Sequence, residues 1–294
     1  MLSKKSKTPE ANRLKELING EEQSPQKTKK HLLSYSLEKR WEFAQDIVPE
    51  LKRNKARDLV RLLFGKNQNF VRDKLKEDKS IYFAIECLGY FPSSDTVKVL
   101  AGLLQHKDSN IQLSAAGALK NQAPRHVVPV LVKAMLYEDI LPARAGEVLL
   151  TMGPLALELI LEVYPLAIPR VKIHFLELLV QGNNPKCKKI TGEALLSSNI
   201  ELISRALDAV ATFHFVDLWP EVISCLMQMT HWNIKAKVLY VLEILAVEET
   251  RKAIQLQLAD EDPWICECAT KCLKVLDEKG ANAPAIIEQR AVNN

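Results

Sequence analysis

From about Ser36 to about Leu276, apolar and polar positions recur with a helical period. Taking Ile81, Ile111, Leu141, Val171, Ile203, Ile234 and Ile265 as anchors gives spacings of 30, 30, 30, 32, 31 and 31 residues. Four residues after each anchor stand Ile85, Ala115, Ala145, Phe175, Leu207, Val238 and Ala269. Seven after come Leu88, Ala118, Val148, Leu178, Val210, Val241 and Cys272, and eight after come Gly89, Leu119, Leu149, Leu179, Ala211, Leu242 and Leu273. Every one is apolar or Gly, in a chain that is 47% hydrophobic. Positions i, i+4, i+7 and i+8 share one face of an α-helix, so each anchor opens a helix with one buried stripe.

A further helix precedes each anchor. Eleven residues upstream lie Phe70, Leu100, Val130, Ile160, Gly192, Ile223 and Ile254, with only Gly192 breaking the apolar rule. Polar turns separate the two, as at 107–110, 137–139, 197–199 and 260–263, and their Asp, Asn and Ser can cap the helix that follows. Pro124, Pro154 and Pro185 fall where the next unit starts, a position that tolerates Pro. One helix pair cannot hide its stripe alone, whereas stacked pairs share a continuous core. The pattern predicts an all-α, right-handed α-α superhelix of about seven to eight helix-pair repeats. The expected organisation is a disordered basic tail over 1–30, irregular capping helices over 31–66, the solenoid over 67–279, and a flexible tail over 280–294.

Charge narrows the choice of partners. Residues 1–30 hold eight Lys/Arg and four Asp/Glu, which leaves the remaining chain balanced at 32 of each. A balanced body attracts phosphate backbones weakly, so nucleic acid is disfavoured. No stretch reaches the roughly 18 apolar residues of a membrane span, and the expectation is a cytoplasmic protein with a membrane-associated variant of that reading. The six Cys fit reduced thiols. Cys266, Cys268 and Cys272 lack the second Cys pair or His that a zinc site needs, and they are expected to act as small hydrophobes.

Three stretches carry a family resemblance: DEDPWICECATKCLKVL (Asp260–Leu276), KDSNIQLSAAGALKN (Lys107–Asn121) and IYFAIECLGYF (Ile81–Phe91). They resemble the HEAT-like repeats shared with phycobilin-lyase-type proteins, over roughly residues 67–276. The resemblance implies a curved α-solenoid whose second helices line the concave face. It also implies an Arg after each anchor that forms a ladder with the turn Asp. Here those positions are Tyr82, Gln112, Pro142, Lys172, Ser204, Lys235 and Cys266, so the ladder is expected to be mostly absent.

Positions i+2 and i+5 of each second helix should point away from the core. In the middle units these are Leu113, Ala116, Ala143, Gly146, Ile173 and Leu176, an apolar strip that suits a protein or peptide partner. The competing readings place the same residues partly in the core or on a self-association surface. A second candidate is the basic run Lys52, Arg53, Lys55, Arg57 and Arg61, which with the N-terminal lysines could touch an anionic membrane or an acidic partner. No Gly-rich phosphate loop, GxSxG, HExxH or adjacent His-Glu pair occurs, so no catalytic residue, cofactor or metal ligand is nominated. The leading expectation is a non-enzymatic interaction scaffold. The alternatives are a tetrapyrrole-lyase-like or alkylated-DNA-glycosylase-like protein on the same scaffold, and a membrane-peripheral assembly factor. A glycosylase-like site would enlist Trp232, Trp264, Arg205 and Asp208, although packing between repeats is the simpler expectation for both Trp.

Overall fold

The computed structural model describes residues 25–292; the N-terminal part of the expected tail, 1–24, lies outside the described residues. The described chain is an all-α solenoid of helix pairs and divides into two compact units, with the boundary between Met152 and Gly153. In the first unit, α1 (Pro25–Ser34) precedes α2 (Leu37–Ile47) and α3 (Arg53–Phe64). Three pairs follow: α4 (Gln68–Asp73) with α5 (Ile81–Leu88), α6 (Ser94–Leu103) with α7 (Ser109–Lys120), and α8 (Pro124–Leu136) with α9 (Pro142–Thr151). The second unit holds α10 (Pro154–Val163) with α11 (Pro169–Gln181), and α12 (Lys188–Leu195) with α13 (Ile200–Phe213). It continues with α14 (Trp219–Gln228) and α15 (Trp232–Leu245), then α16 (Arg251–Leu256) and α17 (Pro263–Val292).

Both units are double layers. In the first, α7 packs against α5 and α9 while α6 packs against α8; in the second, α13 packs against α11 and α15, and α15 against α17. Second helices therefore form one row and first helices the other. The predicted seam is the core: every i+4 and i+7 residue is buried, and of the i+8 set only Ala211 and Leu273 are half-buried. At about 1.5–3 kcal/mol for each large side chain removed from water, this seam is the main gain that holds neighbouring pairs together.

Turn chemistry follows the sequence in several repeats. The Asp108 side chain accepts from the Asn110 amide, that of Asn199 from Leu202, and that of Asp262 from Trp264, each satisfying a free amide at a helix start. The turn at 137–141 departs from this pattern. Glu138 is left-handed (φ 58), Asp139 caps nothing, and the anchor Leu141 is 58% exposed with Ile140 buried in its place. Pro142 sets an extended residue before the helix, which turns Leu141 outward. The polypeptide is also helical where tails were expected: residues 25–30 belong to α1, and α17 runs on to Val292. Ala, Glu, Gln, Lys and Arg are strong helix formers and dominate both segments.

Candidate functional site

The apolar strip does not form as a single exposed surface. Ala116, Gly146, Ile173 and Leu176 are buried, and only Leu113 and Ala143 reach solvent. The reason is lateral packing. A second helix inside a stack is flanked by second helices on both sides, as α7 is by α5 and α9, so its apolar face is wider than the seam and takes in i+5. What remains open is in the first unit. Leu113 is 55% exposed, and beside it, one turn on, Gly117 is exposed with nothing within 4 Å of an added Cβ. Ala143 occupies the equivalent position of the next pair.

Charged side chains frame this patch. Lys120 Nζ lies 2.7 Å from Glu147 Oε1, and Arg144 Nη1 lies 3.1 Å from Glu147 Oε2. The Lys120 ammonium first, and the Arg144 guanidinium second, hold the Glu147 carboxyl below its ordinary pKa. The second unit carries a similar cluster: Lys237 Nζ is 2.7 Å from Asp208 Oδ1 and 2.8 Å from Ser204 Oγ, and Arg205 is 3.8 Å from Asp208.

The residues for a glycosylase-like site are not brought together. Arg205 and Asp208 pair in the middle of α13, whereas Trp232 and Trp264 stand at the starts of α15 and α17. Both Trp are exposed rather than packed between repeats, because each sits outside the buried stripe that begins two residues later or one residue later with Ile234 and Ile265. Cys272 is buried and Cys266 and Cys268 are half-buried on the same helix. Among the described residues, no three His, Cys, Asp or Glu side chains converge.

The basic run splits in two. Arg53, Arg57 and Arg61, one turn apart on α3, line a cavity of about 330 Å³ with Tyr90, Asn121 and Gln122. Arg61 Nε donates to the Tyr90 carbonyl at 2.8 Å and Arg53 Nη2 to the Asn121 carbonyl at 3.2 Å, while Arg57 Nε meets Asp58 at 3.2 Å. Those carbonyls follow the C-terminal ends of α5 and α7, where the helix dipole is negative. Part of the run's charge is thus spent in tying α3 to two later repeats. Lys52 is exposed and does not line this cavity.

A larger cavity, about 830 Å³, went unforeseen. It lies in the second unit, where Val216, Trp219, Leu245, Val247 and Leu276 give it apolar walls and Arg251 spans it. Arg251 Nη1 is 2.7 Å from Asp277 Oδ1, its Nη2 donates to Glu248 at 3.0 Å, and Lys279 Nζ donates to the Ala246 carbonyl at 2.9 Å. His214 (φ 50) and Ala246 (φ 48) end α13 and α15 in the left-handed region. Gly or Asn usually marks such a helix end, and with neither present the sequence carried no signal for these loops.

The profile of the family described as HEAT repeats matches residues 73–149. Those residues carry the HEAT-repeat pattern. Among solved structures, the chain is similar to an engineered protein at 17% identity, covering 92% of this chain and 82% of that one with a TM-score of 0.41. It is also similar to human deoxyhypusine hydroxylase in complex with glycerol, at 12% identity, 92% and 97% coverage and a TM-score of 0.36. The complex of CpcE and CpcF of phycocyanin lyase from Nostoc shows 15% identity, 95% and 97% coverage and a TM-score of 0.31. No curated protein matches the sequence. Among the described residues, no helix is long and apolar enough to cross a membrane.

Proposed function

We propose that this HEAT-repeat protein is a non-enzymatic scaffold that binds a protein or peptide segment on the second-helix row of its first unit. The observation that carries the reading is Leu113, 55% exposed in the middle second helix with open space above Gly117 beside it. An exposed apolar side chain beside open space, with the Lys120–Glu147–Arg144 cluster near it, has the composition of an interface core with a polar edge. Repeat folds of this kind serve generally as interaction scaffolds, and one engineered for modular peptide recognition, a designed armadillo repeat protein, is among the similar structures.

A photo-crosslinking residue at position 113 provides the test, with one at exposed Leu155 in the second unit as control. A discrete polypeptide adduct from position 113 that is absent from 155, and lost when Ala143→Glu is added, supports the reading. Equal labelling at both positions, or no adduct at 113, defeats it. A pigment or DNA that co-purifies with the protein would favour the lyase-like or glycosylase-like alternative instead.

A further inference from the structure

The cavity of about 330 Å³ beside α3 shares no residue with the proposed scaffold surface, and every charged side chain on its lining is an arginine. Arg53, Arg57 and Arg61 recur every four residues, so they stand on one face of α3. Among the described residues, no carboxylate lines the cavity. The side-chain amides of Asn54, Asn121 and Gln122 belong to its polar wall. Ala123, also on the lining, opens α8 without a capping side-chain bond, and the first turn of that helix carries no acid. The positive end of a helix dipole therefore begins at this wall.

Helix capping accounts for the outer two arginines and not for the middle one. Arg61 Nε and Arg53 Nη2 each give a single bond to a carbonyl beyond α5 and α7. A guanidinium has five N–H donors, so each keeps most of its own. Arg57 reaches neither helix: its bond runs from Nε to its chain neighbour Asp58, which is 69% exposed. Among the described residues, Asp58 is the one carboxylate paired with any of the three. The Glu86 carboxylate is engaged elsewhere, accepting from Tyr90 Oη at 3.2 Å. Ion pairs as exposed as Arg57–Asp58 contribute little. Like charges one turn apart repel along a helix, and a bound anion would relieve that repulsion.

We propose that this cavity binds a phosphate monoester dianion. Its volume lies at the small end of the range of about 300–1,000 Å³ usual for small-molecule sites, which fits one phosphate group and a short part of its carrier. Guanidinium forks match phosphate oxygens bidentately. A monoester brings nearly two negative charges at neutral pH, against a single charge on a carboxylate or a diester. Duplex nucleic acid fits less well, because the chain beyond residue 30 is balanced in charge. The same ester can arrive on a soluble metabolite or on a phosphorylated side chain.

Calorimetric titration of the full chain tests the site with inorganic phosphate, glycerol 3-phosphate, a short peptide carrying phosphoserine, and acetate. The phosphates should bind at one site per chain, and acetate about tenfold more weakly or worse. Arg57→Gln should weaken phosphate binding about tenfold, with an unchanged melting temperature because the side chain bonds only Asp58. Asp58→Asn, which frees the Arg57 guanidinium, should tighten binding about threefold. Lys98→Gln removes an exposed positive charge from α6 outside the cavity and should bind as the wild type does. A peptide that outbinds glycerol 3-phosphate supports the site with a phosphorylated protein as source; the reverse order supports it with a metabolite. Absence of saturable phosphate binding overturns the proposal, as does an equal loss in Arg57→Gln and Lys98→Gln. So does binding to phosphatidylserine vesicles without binding to soluble phosphates, which would assign the arginines to a lipid surface.

Discussion

Lys235 on α15 donates from Nζ to Asp260 Oδ2 at 2.6 Å, tying one second helix to the turn that opens the next. The contact is a rung of the ladder that the resemblance implied and that the sequence was expected mostly to lack. Tyr82 Oη makes a weaker rung by donating to Asp108 Oδ2 at 3.4 Å, also one repeat ahead. Where Arg is replaced, Lys and Tyr can still span the gap because the next turn lies directly beside the start of the preceding second helix. Gln112 does not make the rung: it bonds back to the His106 carbonyl of its own turn.

The Lys235 ammonium first, and the Asp262 amide second, hold the Asp260 carboxyl below its usual pKa. A carboxyl depressed in the folded state stabilises the fold above its unfolded value of about 4 and loses that contribution as pH falls through the folded value. Lys235→Met should therefore cost about 1 kcal/mol near neutral pH. Urea denaturation at a series of pH values should show the gap between variant and wild type closing in the acid limb.

The seam and the solvent-facing positions should separate cleanly in stability. Leu178→Ala, at a buried i+7 position, should cost about 2–5 kcal/mol through the cavity it leaves. Leu113→Ala should stay within about 0.5 kcal/mol. Leu176→Glu should exceed about 4 kcal/mol, because a fully buried charge gains no partner there. Thermal or urea unfolding of the three variants distinguishes core from surface at i+5.

Gly153 opens α10 with φ 72 and ψ −154, a conformation essentially closed to side-chain-bearing residues, and no atom lies within 4 Å of an added Cβ. Gly153→Ala should cost about 1–3 kcal/mol from backbone strain alone. If enlarging neighbouring residues leaves that cost unchanged in urea titrations, sterics are excluded as its source.

Burial pushes the Cys87 thiol well above its ordinary pKa, Cys225 to about 11 and Cys272 to about 12, and raises Cys187 as well. The thiolate is the reactive form, and a reagent must also reach it. Cys266 and Cys268 are half-buried where the other four are buried. At pH 8 a thiol reagent should therefore label these two in the native protein, with Cys268 slowed because burial raises its thiol as well. The other four should respond only after unfolding. Labelling followed by mass spectrometry checks the assignment, and Cys266→Ser with Cys268→Ser should abolish the native phase.

The sequence alone determined the helix pairs, their register at i+4 and i+7, and the caps at Asp108 and Asn199. These depend on period and on residues a few positions apart, which a linear chain records directly. It left open whether Ile173 and Leu176 were groove or core, and it missed the exposure of Leu141 and Trp232 and the rung from Lys235 to Asp260. Those outcomes depend on neighbours about thirty residues away. Whether a helix face is covered is decided by what stacks on each flank, and only the folded chain brings those flanks together.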